Sequence, residues 1–165
     1  LVQVFAFEEA LARTGDLAKQ THPELVALAK TWAATFVEST TAERDRWQAT
    51  AAERLREAEA HVAAWDYHTA IHAIESIPEP LRSVKATALL DECVARKNES
   101  ESLVATIAER IREKDLEGLL PIVERAVMLR GDRQDLVTLL NQLVERRDRL
   151  ARERAARDEI GRAHV

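Results

Sequence analysis

His68 and His72 stand four residues apart with Glu75 close behind. On a helix that spacing lets two imidazoles converge on one zinc ion. The pair lacks the acid directly after the first histidine that a zinc-hydrolase helix carries, and only His61 or Glu75 offers itself as a third ligand. These residues also lie opposite the Ile71/Ile74 stripe, so the expectation is a solvated or partner-contacting face, with no metal and no cofactor. Cys93 is the lone cysteine, set between Leu90 and Val94 on an apolar stripe. Asp91 and Glu92 beside it oppose thiolate formation, so a buried thiol acting as a small hydrophobe is expected. The carboxylate pairs Glu8/Glu9 and Asp91/Glu92 are adjacent, and neighbours on a helix point about 100° apart, which suits solubilising charge better than an acid–base dyad. Four glycines spread over 165 residues build no phosphate-cradling loop. No catalytic constellation emerges, and the chain reads as non-enzymatic.

The elements that carry these residues are helical. Glycine and proline number four each, while Ala, Leu, Glu and Arg abound, which favours helix over sandwich or barrel. Hydrophobic residues make up 46% and charged residues 32%, a globular balance. Lys and Arg number 24 against 29 Asp and Glu, a net charge of −5, with no clustered basic face for nucleic acid. Residues 145–159 hold six Arg among five acids and read as a solvated helix laced with ion pairs. No apolar run reaches the roughly 20 residues of a membrane span. With a single cysteine, a reducing compartment, the cytoplasm, is expected.

Along the chain, Val4, Phe7 and Leu11 form a short stripe that Gly15-Asp16 should end. Thr21-His22-Pro23-Glu24 reads as a helix start, followed by Leu25, Leu28/Ala29, Trp32 and Phe36 on one face. From Thr41, Trp47, Ala51, Leu55, Ala58, Val62 and Trp65 recur at near-heptad spacing. A short helix with Tyr67, Ala70, Ile71, Ile74 and Ile77 inward is broken by Pro78 and Pro80. Leu81 to Lys114 holds no Gly or Pro, yet Asn98-Glu99-Ser100-Glu101 offers an alternative cap, leaving a break near Asn98 open. Asp115 should open a helix containing Pro121, Gly131 should close it as a C′ glycine, and Asp132 should cap the next. Beyond Leu150 only Ala stays on the stripe, so fraying is expected there. Trp32 and Trp47 are expected in the core. Trp65 sits at a turn and is the best single contact residue, with His68 and His72 beside it.

The middle of the chain repeats itself. At an offset of 49, Leu55, Ala58, Val62, Asp66, Ala70, Ile74 and Glu75 fall on Val104, Ile107, Ile111, Asp115, Leu119, Val123 and Glu124. After Pro80 the offset becomes 50, with Leu89, Leu90 and Val94 on Leu139, Leu140 and Val144. Such periods signal stacked helical hairpins. The string Trp65-Asp66-Tyr67 to Ala70-Ile71, Ile74-Glu75 and Ile77-Pro78 resembles the turn and second helix of a tetratricopeptide-type repeat, although the period is longer and Trp65 or Lys114 replaces the usual glycine. Residues 50–150 resemble helical accessory segments of large bacterial multidomain Ser/Thr protein kinases, which implies a regulatory or scaffolding role with any kinase domain elsewhere.

The expected fold is therefore all-α, an antiparallel helical-hairpin repeat array, TPR-like or spectrin-like, of alternating long and short helices. Residues 1–40 should form an N-terminal hairpin and 41–158 a two-unit repeat region, with units of about 50–99 and 100–150. Residues 159–165 are expected to be a non-native tail, because Ile160-Gly161-Arg162-Ala163-His164-Val165 back-translates to the start of a short-read sequencing adapter. The start without Met agrees with a fragment of a longer frame. The expected role is a protein-interaction or spacer module for a protein partner or neighbouring domain, with no nucleic acid and no membrane. The alternative is coiled-coil self-association through the 47–65 and 136–150 seams.

Overall fold

The computed structural model describes the backbone of residues 6–20 and 26–163, and their side chains except 17, 18, 20, 26, 29 and 158–163. The stripe residue Val4, the start signal Thr21–Glu24 and Leu25 lie outside the described residues. Every regular element among those described is helical: α1 (Phe7–Gln20), α2 (Val26–Ala63), α3 (Tyr67–Glu75), α4 (Val84–Glu113), α5 (Leu119–Leu129) and α6 (Gln134–Ala163). The expected all-α class is what the chain adopts. Two compact units form, the first from residues up to Val62 with His68–Glu92, the second from Ala63–Tyr67 with Cys93 onward.

In the first unit α1 buries Phe7, Ala10 and Thr14, a three-then-four spacing that defines one helix face. The Thr14 hydroxyl donates to the Ala10 carbonyl at 2.8 Å, so this buried polar group is satisfied. Contrary to the sequence expectation, α1 passes straight through Gly15-Asp16. Interior glycine costs a helix only about 1 kcal/mol, which cannot stop one that is held by packing. Arg44 of α2 bonds Glu8 of α1 at 3.1 Å and its own neighbour Asp45 at 3.0 Å.

α2 is one helix of 38 residues, so the boundary expected at 40/41 falls inside it. In its first half the inward positions are not those expected, while Ala58 on the later seam is buried as expected. Ala33, Thr40 and Ala58 are buried, whereas Trp32 is 54% exposed and Leu28 lies outward. Small residues are the fully covered ones, and Leu28 and Trp32 are left to solvent. Trp32 stacks on Phe36 at 5.3 Å between ring centroids. Trp47, half-buried, comes nearer to its expected place.

Pro78 and Pro80 end α3 as expected, and a 3-10 turn spans Glu79–Leu81. The freed carbonyls find a donor in Arg82, whose Nε bonds Ile77 O at 2.9 Å and Nη2 bonds Glu75 O at 3.1 Å. Ser83 then caps α4, its hydroxyl accepting from Ala86 N–H at 3.1 Å. Lys85 pairs with Glu59 of α2.

α4 is continuous from Val84 to Glu113, with no break at Asn98. The core stripe runs through Ser100 instead of Lys97 and Glu101, and Ala86, Cys93, Ser100 and Ile107 are buried at intervals of seven. The Ser100 hydroxyl donates to Lys97 O at 2.8 Å, while Lys97 pairs with Glu101 one turn on at 3.1 Å. With those side chains engaged within the helix, nothing recruits them as a cap. Cys93 is fully buried, as expected.

α4 ends in a Schellman arrangement: Lys114 N bonds Ile111 O and Asp115 N bonds Arg110 O, with Lys114 in left-handed backbone at φ 60°. α5 begins at Leu119, four residues later than Asp115, which makes an Asx turn to Glu117 N at 3.2 Å. Gly118 supplies the left-handed N-cap at φ 67°, Arg110 Nη1 holds Glu117 O at 2.9 Å, and Pro121 sits in the first turn where its missing N–H costs nothing. α5 packs on α6, and Ile107, Leu119, Val123, Ala126, Leu136 and Leu143 form the core of this unit. Gly131 is not in left-handed backbone, so it does not close α5 as a C′ glycine. Asp132 gives its carboxylate to Arg130. The carbonyl of Arg133 receives Leu136 N and Val137 N at the start of α6. α6 continues to Ala163, past the point after Leu150 where fraying was expected.

Candidate interaction surfaces

The segment Ala63–Tyr67, between α2 and α3, is clasped to the α5–α6 corner within the second unit. Trp65 takes φ 59°, a conformation that non-glycine residues rarely adopt. Its indole lies on Gly131, where an added Cβ would stand 2.9 Å from Trp65 Cζ2 and 3.2 Å from Cε2. Glycine at 131 is thus a matter of close approach, not of backbone angle. The buried Tyr67 hydroxyl donates to Leu129 O at 2.9 Å. That carbonyl ends α5 and has no acceptor role within its own helix, so the tyrosine satisfies an orphan. Arg125 of α5 completes the attachment with two bonds to Glu99 of α4, at 2.6 and 2.9 Å.

Ion pairs ring this corner. Arg130 grips Asp132 through two 2.8 Å bonds, and Arg133 grips Asp135 at 2.8 and 2.6 Å. The Arg133 hydrogen bonds hold the Asp135 carboxyl down at about 2, and those from Arg130 and Arg125 lower Asp132 and Glu99. All are exposed pairs, of a kind that orients side chains more than it stabilises a fold.

Of the three residues expected to make protein contacts, Trp65 is 39% exposed, so one side of its indole touches Gly131 while the rest meets solvent. His68 and His72 are exposed, with rings edge to face at 4.5 Å between centroids, and His72 Nδ1 lies 3.6 Å from Glu75 Oε2. Among the described residues no group of three or more His, Cys, Asp or Glu is placed to hold a metal ion. The three expected contact residues are near one another in sequence, but Trp65 belongs to the second unit and the histidines to the first.

Sequence reasoning missed two features. Leu28 and Trp32 form an outward apolar face on α2. In the second unit a groove of about 440 Å³ opens beside the start of α5 and the middle of α6. Leu116, Leu120, Leu143 and Leu150 supply its apolar surface. Arg146, Arg147 and Arg154 line it with charge, against the single acid Glu117. The signal was present in the sequence: Leu150 continues the Leu136–Leu143 heptad where an arginine-rich helix carries no further leucine.

No helix among the described residues is long and apolar enough to cross a membrane. No protein-family model, curated protein or solved structure matches this chain.

Proposed function

We propose that this chain is a non-catalytic helical-repeat scaffold that presents helix faces to a protein partner or to a neighbouring domain. Its repeats are antiparallel hairpins of alternating long and short helices, with units of about 50–99 and 100–150. The observation that carries the reading is a recurrence of burial. Forty-nine positions after the buried Ala58, Ala70, Ile74 and Ile77 come the buried Ile107, Leu119, Val123 and Ala126. Fifty positions after Ala86 and Cys93 come Leu136 and Leu143, also buried. Trp65 and Lys114, both non-glycine residues in left-handed backbone, are again 49 apart. The shared left-handed turn at equivalent positions supports a repeating hairpin.

The resemblance to accessory segments of bacterial Ser/Thr kinases extends the proposal to a regulatory or spacing role within a larger cytoplasmic protein. In a repeat array, stability is approximately a sum of unit and neighbour terms. Hydrogen exchange on a Val123→Ala chain should therefore lose protection in α5, α6 and the second half of α4 while α1 and α2 keep theirs. Uniform loss from α1 through α6 would refute the modular reading.

Self-association is the second reading, favoured by the outward Leu28 and Trp32 on α2. The 136–150 seam supports it less, because Leu136 and Leu143 are already covered within their own unit. Mass by light scattering over a hundredfold range of concentration separates the readings. A constant monomer mass favours partner presentation, and a rise toward the dimer favours self-association.

A further inference from the structure

We propose that the α5–α6 groove receives an amphipathic α-helix of a protein partner, apolar along one face and acidic on its flank. The inference rests on the repeat reading above and deepens it by naming the site and the chemistry of its occupant.

One difference between the two repeats bears on binding. Ser100, the last buried position of the first heptad series before Ile107, is 3% exposed, whereas Leu150, fifty positions on, is 40% exposed. Around Ser100 the chain brings up its own helix: Tyr67 bonds the end of α5, the Trp65 indole lies on Gly131, and Glu99 holds Arg125. The corresponding place around Leu150 is the open groove. What covers the first place is a helix presenting apolar side chains to α4, so the same geometry in the second place is shaped for a helix too. A leucine left there instead of a serine offers that helix more apolar area than the first place has.

Charge fixes the flank. Where α4 offers Glu99 to Arg125, α6 offers Arg149 at the equivalent position, so the sign required of the occupant is reversed. Arg146 and Arg154 line the same groove, as does Arg147, which already bonds its neighbour Asp148 at 3.0 Å. A helix carrying Asp or Glu where α5 carries Arg125 meets those guanidinium groups with charge-assisted bonds, and a basic helix meets repulsion.

The test uses the full chain and two fluorescein-labelled designed 18-residue helices. Both carry Leu at i, i+3, i+7 and i+10; one is flanked by Glu, the other by Lys at the same positions. Fluorescence anisotropy should show the Glu helix binding at least tenfold more tightly than the Lys helix, with the preference shrinking at 0.5 M salt. Leu150→Asp should abolish binding of both. Arg146→Glu combined with Arg149→Glu should invert the preference while the circular dichroism spectrum stays unchanged. Equal binding of both helices, or no binding of either to a folded monomer, overturns the proposal. So does a chain that is a dimer by light scattering and binds the Glu helix only on dilution, for the groove then belongs to a second copy. The hydrogen-exchange pattern of the Val123→Ala chain tests the repeat independently of all these results, so failure of the groove and failure of the repeat are distinguishable.

Discussion

Gly131→Ala and Trp65→Ala together probe whether the corner clasp is a real energetic coupling. An alanine methyl at 131 would sit 2.9 Å from Trp65 Cζ2, closer than a Cβ tolerates, so either the indole or the α5–α6 turn must move. Overpacking of this kind costs about 1–3 kcal/mol. Because Gly131 is not held in left-handed backbone, alanine also restricts the unfolded chain, which stabilises by about 0.4–1 kcal/mol. The net expectation is a loss of about 1–2 kcal/mol, read by urea denaturation followed by circular dichroism at 222 nm. At an m-value of about 2 kcal/mol/M that moves the midpoint down by roughly 0.5–1 M. In a Trp65→Ala background the obstruction is gone, and Gly131→Ala should be neutral or stabilising by about 0.5 kcal/mol. The cycle should therefore show a coupling of about 1–2.5 kcal/mol. Additivity within about 0.3 kcal/mol would refute the contact and, with it, the account of why residue 131 is glycine.

Ser83→Ala should lower stability by about 1 kcal/mol, because the hydroxyl that receives Ala86 N–H is lost; an unchanged urea midpoint would contradict the cap. Lys114→Gly, at φ 60°, should raise stability by about 0.5–1 kcal/mol, since glycine enters left-handed backbone without the penalty of a Cβ. A lower urea midpoint for that variant would count against the left-handed turn. Asp135 provides a pH prediction whose sign follows from a folded pKa of about 2 against the ordinary 3.8. Its contribution is fully present above the unfolded value and is lost as pH falls from about 4 toward 2, so thermal midpoints of the native chain should drop more steeply across that window than those of Asp135→Asn. Parallel curves would show the Arg133 pairing to be inert.

The all-helical class was legible because 3.6-residue periodicity and sparse glycine and proline act through local physics alone. The recurrence at 49 and 50 was legible for the same reason: Ala70, Ile74, Leu119 and Val123 occupy positions whose spacing already defines an inward face. What the sequence misled on depends on tertiary partners. Leu28 and Trp32 look like core by type, yet the covered face of α2 holds Ala33 and Thr40, and no count of hydrophobic residues ranks alanine and threonine above tryptophan. Gly15 and Gly131 both look like helix punctuation, but one lies mid-helix and the other accommodates an indole from 66 positions earlier in the chain. Asn98-Glu99-Ser100-Glu101 reads as an alternative capping stretch, whereas the Ser100 hydroxyl is satisfied within α4 and its side chain is buried. The groove was hidden because openness is a property of what fails to arrive, which one helix pattern cannot reveal.

On the proposed repeat, the clasp also sets apart the two places that lie fifty positions from each other. At the first, a buried hydroxyl bond, an indole on glycine and a bidentate ion pair act together, and removing any one leaves an unsatisfied or uncovered group behind. At the second, Tyr67 is replaced by Leu116, Trp65 by Lys114 and Glu99 by Arg149. None of these carries a buried hydrogen bond that demands a permanent partner: the leucine accepts contact, and the exposed lysine and arginine are solvated without one. A helix seated there is held by apolar area and screened charge, interactions that are released as readily as they form. If the groove takes a helix as proposed, covering the first place belongs to folding and covering the second has the energetics of reversible binding.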